Sequence, residues 1–178
     1  HIAEFAYGLN HQDWTIQRLE EQLLWFNSHE ISNDRFKDYL ANYNYYKQTG
    51  LLRTLFIDYC ERIKGRLYSV AELQKIMAND PTIEHILSQS PNFTPRAFGF
   101  KNDEDFEEHK HLLGNLTLLE KRINSAIQNY DLPEKVRGYS GSRFKMTSKL
   151  ATSLATTLEF KKKDLKSRGQ QLVEDFSQ

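Results

Sequence analysis

A carboxylate and an imidazole stand side by side in Ile83-Glu84-His85-Ile86-Leu87-Ser88-Gln89. Downstream, Gly114-Asn115-Leu116-Thr117-Leu118-Leu119 sets one asparagine before a second apolar run, and Asn124 follows nine residues after Asn115. That spacing lets the asparagines run from a strand into a helix. Cutting a phosphodiester at a single-metal centre requires a proton acceptor for water, hard ligands for a divalent cation, and neutralisation of charge on the phosphate. An ordinary histidine titrates close enough to neutrality to take the proton, which suits His85. Glu84 and Asn124 both offer oxygen, the donor that a hard cation such as Mg2+ prefers. Neighbouring strand residues point to opposite faces, so Glu84 and His85 frame one site only if the chain bends there. The dipeptide alone reads equally well as a surface acid beside a partly buried histidine. The two segments together read as a nuclease.

The elements around these segments divide the chain. The first 77 residues read as helical. Asp13-Trp14-Thr15-Ile16-Gln17 opens a segment whose Trp14, Leu19, Leu23, Leu24 and Phe26 mostly recur at helical spacing. Asn33-Asp34 caps a short helix with Phe36, Tyr39 and Leu40, and Leu51 to Cys60 forms an apolar central helix. Tyr43, Tyr45 and Tyr46 are either a stacking surface or packing between helices. Ser69-Val70-Ala71-Glu72 caps a further helix to about Met77. The texture changes at Asn79-Asp80-Pro81, with a strand over Thr82–Leu87, a loop from Ser90 to Gly99 and an acidic helix from Asp103 to His111. A second strand over Leu116–Leu119 leads into a helix from Lys121 to about Asn129. Another helix opens at Pro133, and a last one spans Thr147 to Lys166. The fold class is therefore α+β: a predominantly helical domain carrying a small ββα unit. Three regions follow: a helical lobe at 1–78 packed on the nuclease core, a catalytic region at 79–146, and a C-terminal basic helix and tail at 147–178.

Composition narrows the class. The 178 residues are 39% hydrophobic and 27% charged, enough for one domain with a sizeable core. No apolar run approaches the roughly 20 residues of a membrane span, and no signal-peptide pattern opens the chain. A cytoplasmic protein without a membrane partner is expected. The chain starts at His1 rather than Met, as expected of a piece of a longer protein. Its single cysteine, Cys60, rules out an intrachain disulfide and the paired thiolates of a structural zinc site. Net charge is zero, yet residues 121–168 hold 12 Lys and Arg against Asp131, Glu134, Glu159 and Asp164. That excess either tracks a phosphate backbone or forms a solvated face.

Taken together, the motifs resemble the HNH, or ββα-metal, nuclease superfamily. Within it they resemble the domain of unknown function 1524, found at the C-terminus of bacterial modification-dependent restriction and phage-defence proteins. The resemblance rests on Glu84-His85-Ile86-Leu87-Ser88-Gln89, on His111 with Gly114-Asn115-Leu116-Thr117-Leu118-Leu119, and on Asn124, Asn129, Lys135, Tyr139 and Ser140. It covers about 60 residues directly, and the helices from Leu51 onward look like the family's N-terminal helical part. Ser88 stands where the family has proline, which loosens the turn without removing a catalytic atom.

The resemblance implies roles. His85 would be the general base, Glu84 and Asn124 the ligands of Mg2+ or Mn2+, and Asn115 the catalytic-site residue holding the loop and His85 in register. His111 would orient the motif or touch phosphate, and is equally well read as structural. Asn129 either caps the metal helix or reaches the site as an auxiliary ligand. Lys135, Arg137, Arg143 and Lys145 follow the catalytic helix and are the candidate phosphate contacts, or else ordinary solubility charge. The expected function is a divalent-metal-dependent DNA endonuclease, nicking or cutting both strands, in restriction or anti-phage defence. The expected partner is double-stranded, phage-derived DNA. The nucleotide-dependent domain that usually precedes this nuclease would lie on the full-length protein or on a separate subunit, since its Asp-Gly-Gln-Gln-Arg motif is absent here. A catalytically silent DNA-binding or regulatory module, or an RNase, is the alternative.

Overall fold

A computed structural model describes residue 21 and residues 33–45, 49–90 and 92–177. Apart from Glu21, the expected helix from Trp14 to Phe26 lies outside those residues, as does Tyr46. Chain contacts separate residues 1–39 with 177 from residues 40–176 with 178. The site lies in the second unit.

Helix α1 (Asn33–Asn42) leads into that unit. Beyond it, Tyr45 is fully buried, donates its hydroxyl to Leu40 O at 3.0 Å and meets Tyr43 edge-on at 5.1 Å. These two tyrosines pack. Helix α2 (Thr49–Lys64) buries Leu52, Phe56 and Cys60, one apolar stripe at a spacing of four. Helix α3 (Val70–Ala78) starts with the capping box that its sequence announces. Glu72 N donates to Ser69 Oγ at 3.2 Å, and Ser69 N donates to Glu72 Oε2 at 2.8 Å.

Strand β1 (Thr82–His85) pairs antiparallel with β2 (Leu116–Leu119), with Glu84 opposite Thr117 and His85 opposite Leu116. Between them run a single-turn helix (Pro95–Phe98), helix α4 (Asp103–His109) and a second tight turn (Leu113–Asn115). Helices α5 (Lys121–Ile127), α6 (Leu132–Ser140), α7 (Lys145–Leu154) and α8 (Lys162–Phe176) complete the unit. A lone two-stranded hairpin is marginal in water, so helices must bury it. All of β2 is buried, and α2 and α7 pack against it. Thr147 of α7 joins Thr117 by hydroxyls 2.8 Å apart and donates to Leu118 O. The loop after β1 folds over its own aromatic cluster. Phe93 lies 4.0 Å from Phe98 and meets Phe106 edge-on at 5.6 Å.

Two expected boundaries change. The strand expected to reach Leu87 ends at His85, because beyond it a side chain, Asn115, replaces the partner strand. The single helix expected over Thr147–Lys166 is two helices, α7 and α8. Leu158 between them takes φ 48°, which no α-helix accommodates, and Asp164 Oδ2 accepts from Lys161 N at 2.8 Å to start α8. The expected C-terminal tail is helical to Phe176.

Candidate functional site

The site is organised by one asparagine. Fully buried Asn115 accepts from Leu87 N through Oδ1 at 2.8 Å, and its Nδ2 donates to Leu87 O at 3.0 Å and Lys110 O at 2.8 Å. Ile86 N donates to Asn115 O at 2.9 Å. The carboxamide thus copies a strand's donor and acceptor, holds the chain leaving His85, and ties α4's C-terminal end to it.

The turn carrying Asn115 is itself clamped by α8. Arg168 Nη1 donates to Gly114 O and Leu116 O at 2.8 Å and reaches Leu113 O at 3.3 Å. Gly114 permits this approach: a Cβ there would stand 2.0 Å from Leu165 O. Sequence reasoning placed Arg168 among the basic charges and missed this role. A lone arginine more than 50 residues downstream carries no local signal of it.

His85 Nε2 lies 3.0 Å from His111 Nδ1, with the rings edge-to-face at 5.1 Å. One nitrogen donates to the other, so the pair fixes both rings. Burial pushes the His85 pKa down to about 3, helped by His111, Lys135 and Lys110, and burial and Lys110 lower that of His111. His85 is therefore neutral at physiological pH, with its titration well below the ordinary value assumed from sequence.

Glu84 points to the other side of β1, as strand alternation requires. Its Oε1 accepts from Lys135 Nζ at 2.7 Å and from Tyr139 hydroxyl at 3.0 Å, and Lys135 also donates to His85 O at 2.5 Å. Burial raises the Glu84 pKa, against the pull of Lys135 and Tyr139. Here the expectation for Lys135 is corrected. Its side chain is 1% exposed and holds an interior ion pair, so it presents no charge to a DNA backbone. The sequence hid this because a lysine on an amphipathic helix ordinarily faces water.

The remaining candidates lie further out. Asn124 of α5 donates through Nδ2 to Thr82 Oγ1 at 2.8 Å, at the opposite end of β1 from His85. Asn129 is exposed just past α5, after Gln128 at φ 34°. Arg137 is exposed and donates to Glu134 at 2.9 Å, while Arg143 and Lys145 are exposed around the start of α7. The structure therefore brings His85, His111 and Asn115 together, sets Glu84 with Lys135 and Tyr139 behind them, and leaves Asn124 at the far strand end.

The metal-ligand chemistry divides between two places. Glu84 and Asn124 supply oxygen donors, but a cation on Glu84 would face the Lys135 ammonium. On α4, donor atoms of Asp105, Glu108 and His109 lie within 4.8 Å of one another, a candidate metal-binding cluster among the described residues. Lys162 Nζ touches both Asp105 oxygens at 2.6 Å, and a cation would have to displace it. Sequence reasoning gave His109 no role. An Asp and a His four apart on one helix turn were the signal it passed over.

Comparison with protein families matches residues 30–175 to the model of the GmrSD restriction endonucleases, C-terminal domain. No curated protein and no solved structure matches the chain. With most of its length covered, the chain belongs to the GmrSD restriction endonuclease C-terminal domain family.

Proposed function

We propose that this member of the family is the metal-dependent DNA endonuclease domain of a restriction or phage-defence protein. Family membership and a candidate Asp/Glu/His cluster support a nuclease-like, metal-dependent function. The observation that carries the reading is His85. It is neutral, ends the first strand of a ββα unit, and has its exit from the strand locked by Asn115. As general base it takes a proton from water through a ring nitrogen, while His111 holds its ring against rotation. Its low pKa makes it a weak base in the resting site, and an approaching phosphate's negative charge raises that pKa toward a useful value. Asn115 is a positioning residue, because it acts on His85 through the backbone.

A bound divalent cation would neutralise charge on the phosphate and leaving oxygen. Asn124 Oδ1 and Glu84 Oε2 are the oxygens proposed for it, with Glu84 the less favoured because of Lys135. The duplex contacts proposed are Arg137, Arg143 and Lys145, whose bonds to phosphate position DNA without reading bases. The preceding domain of the full-length protein or of a separate subunit would select the substrate. A second reading, a module that keeps the fold and binds DNA without cutting, draws on the Lys135–Glu84 pair, which occupies a proposed ligand.

The test is supercoiled plasmid with Mg2+ or Mn2+, an EDTA control and the His85→Ala protein. Metal-dependent nicking that falls about 10²–10⁴-fold in folded His85→Ala is the expected result. Wild-type protein that binds plasmid without nicking it would favour the silent module, and undiminished nicking by His85→Ala would remove His85 from the chemistry.

A further inference from the structure

A cavity of about 400 Å3 opens beside the strand that carries His85. Ile86 and Leu87, the two residues after His85, form part of its lining, so it begins within about 7 Å of His85 along the backbone. Phe93 and Phe98 supply a paired aromatic wall, held from behind by the edge-on ring of Phe106. Tyr130 lines another part while remaining 56% exposed, which leaves its ring face open to a ligand.

The backbone at the rim is also unusual. Among the described residues, three that are not glycine have positive φ; one of them lines the cavity and a second adjoins its lining in sequence. Leu158, at φ 48°, lines the cavity, and Gln128, at φ 34°, stands two residues before Tyr130. Side chains avoid this conformation, which persists where the surroundings enforce it, often around a ligand. The opposite side is held rigid by Asn115, whose carboxamide pins Leu87.

We propose that this cavity receives one unpaired nucleobase of the strand being cut; the inference rests on the nuclease reading and names part of its substrate. Aromatic walls match the faces of a base, and the volume falls within the range of small-molecule sites. Asp131 and Glu159 both line the rim, Glu159 paired with Lys161 of the same lining at 2.9 Å, and carboxylates accept hydrogen bonds from exocyclic amino groups. The favoured occupant is therefore a base bearing an amino group, turned out of its stack next to the scissile bond. Such a pocket makes cutting depend on how easily the flanking base unpairs.

The experiment uses the full chain with His85→Ala, so that nothing is cut, and a single-stranded oligonucleotide holding one 2-aminopurine. Stacking in the cavity should quench its fluorescence on binding. Tyr130→Ala, at a half-exposed position, should remove the quench and weaken single-strand affinity about 5- to 100-fold. Ala97→Trp, on the exposed cavity wall, should block the same signal while thermal melting shows the fold intact. Binding with no quench, or with an affinity that neither substitution moves, overturns the proposal even if plasmid is nicked. Quenching that depends on Tyr130 in a protein that never nicks plasmid upholds the base pocket and removes the nuclease reading instead.

Discussion

The domain contains two acid–lysine pairs built from similar parts to different ends. Lys135 and Glu84 have side chains 1% and 7% exposed, whereas Lys162 and Asp105 stand at 15% and 11%. Burial wins at the first: the Glu84 pKa rises despite an ammonium at 2.7 Å. Partners win at the second: Lys162 first, then the Lys101 amide, hold the Asp105 carboxyl below its ordinary value. The first pair is interior scaffold for the strand bearing His85. The second lies where a mobile cation can compete with lysine, beside Glu108 and His109.

The largest expected effect breaks the interior pair. Lys135→Met leaves Glu84 without its counter-charge and His85 O without its donor, and removing one partner of a buried pair costs about 3–5 kcal/mol. Urea unfolding should show that loss, and Lys135→Met/Glu84→Leu should recover part of it. A double variant no more stable than the single one would show that Lys135 acts mainly through His85 O.

Next in size is Gly114→Ala. The added methyl would meet Leu165 O at 2.0 Å, so α8 must move off the turn that Arg168 clamps. Overpacking of this kind costs about 1–3 kcal/mol and sometimes more. Nicking should fall further than stability alone explains, because Asn115 moves with the turn. Unchanged melting and nicking would mean that the turn and α8 separate freely.

Here the limits of the sequence are visible in particular residues. Capping at Ser69 and Glu72, the strands at Thr82 and Leu116, and the grouping of His85 with Asn115 were readable, since each is a local pattern or a family motif. Lys135 was misplaced because helical periodicity does not say that an ammonium will find a carboxylate on a strand 51 residues earlier. The clamp of Arg168 on the Gly114 turn was missed for the same reason: the contact joins distant segments, and neither residue type announces it. The break at Leu158 was missed because nothing in Ala155-Thr156-Thr157-Leu158 forbids a helix locally. Packing of Phe160 into the core accompanies the turn.

A smaller effect concerns acid. In EDTA, folded His85 titrates at about 3, below the ordinary histidine value. The unfolded chain takes up a proton below about pH 6.5 that the folded chain refuses until about pH 3. The stability linked to His85 is thus complete above about pH 6.5 and is lost as pH falls through that window. His85→Gln should flatten this limb of the stability profile, leaving the smaller share of His111. An unchanged slope would mean that His85 is solvated in solution.

The smallest effect on stability decides the most about the metal. Asp105→Asn keeps an oxygen acceptor for the Lys101 amide and Lys162, so it should cost about 1 kcal/mol of unfolding free energy. Its value lies in calorimetric titration with Mn2+ beside Asn124→Ala. If the cation sits between Asn124 and Glu84, Asn124→Ala weakens binding and Asp105→Asn does not, and nicking follows the same order. If it sits on α4, the order reverses, and Lys162→Met strengthens binding by removing the ammonium that competes for Asp105. Loss of nicking on Asn124→Ala with Mn2+ affinity intact would make Asn124 a strut for Thr82 rather than a ligand. The two acid–lysine pairs would then differ in function as they do in burial, with the less buried one holding the ion and the more buried one holding the strand.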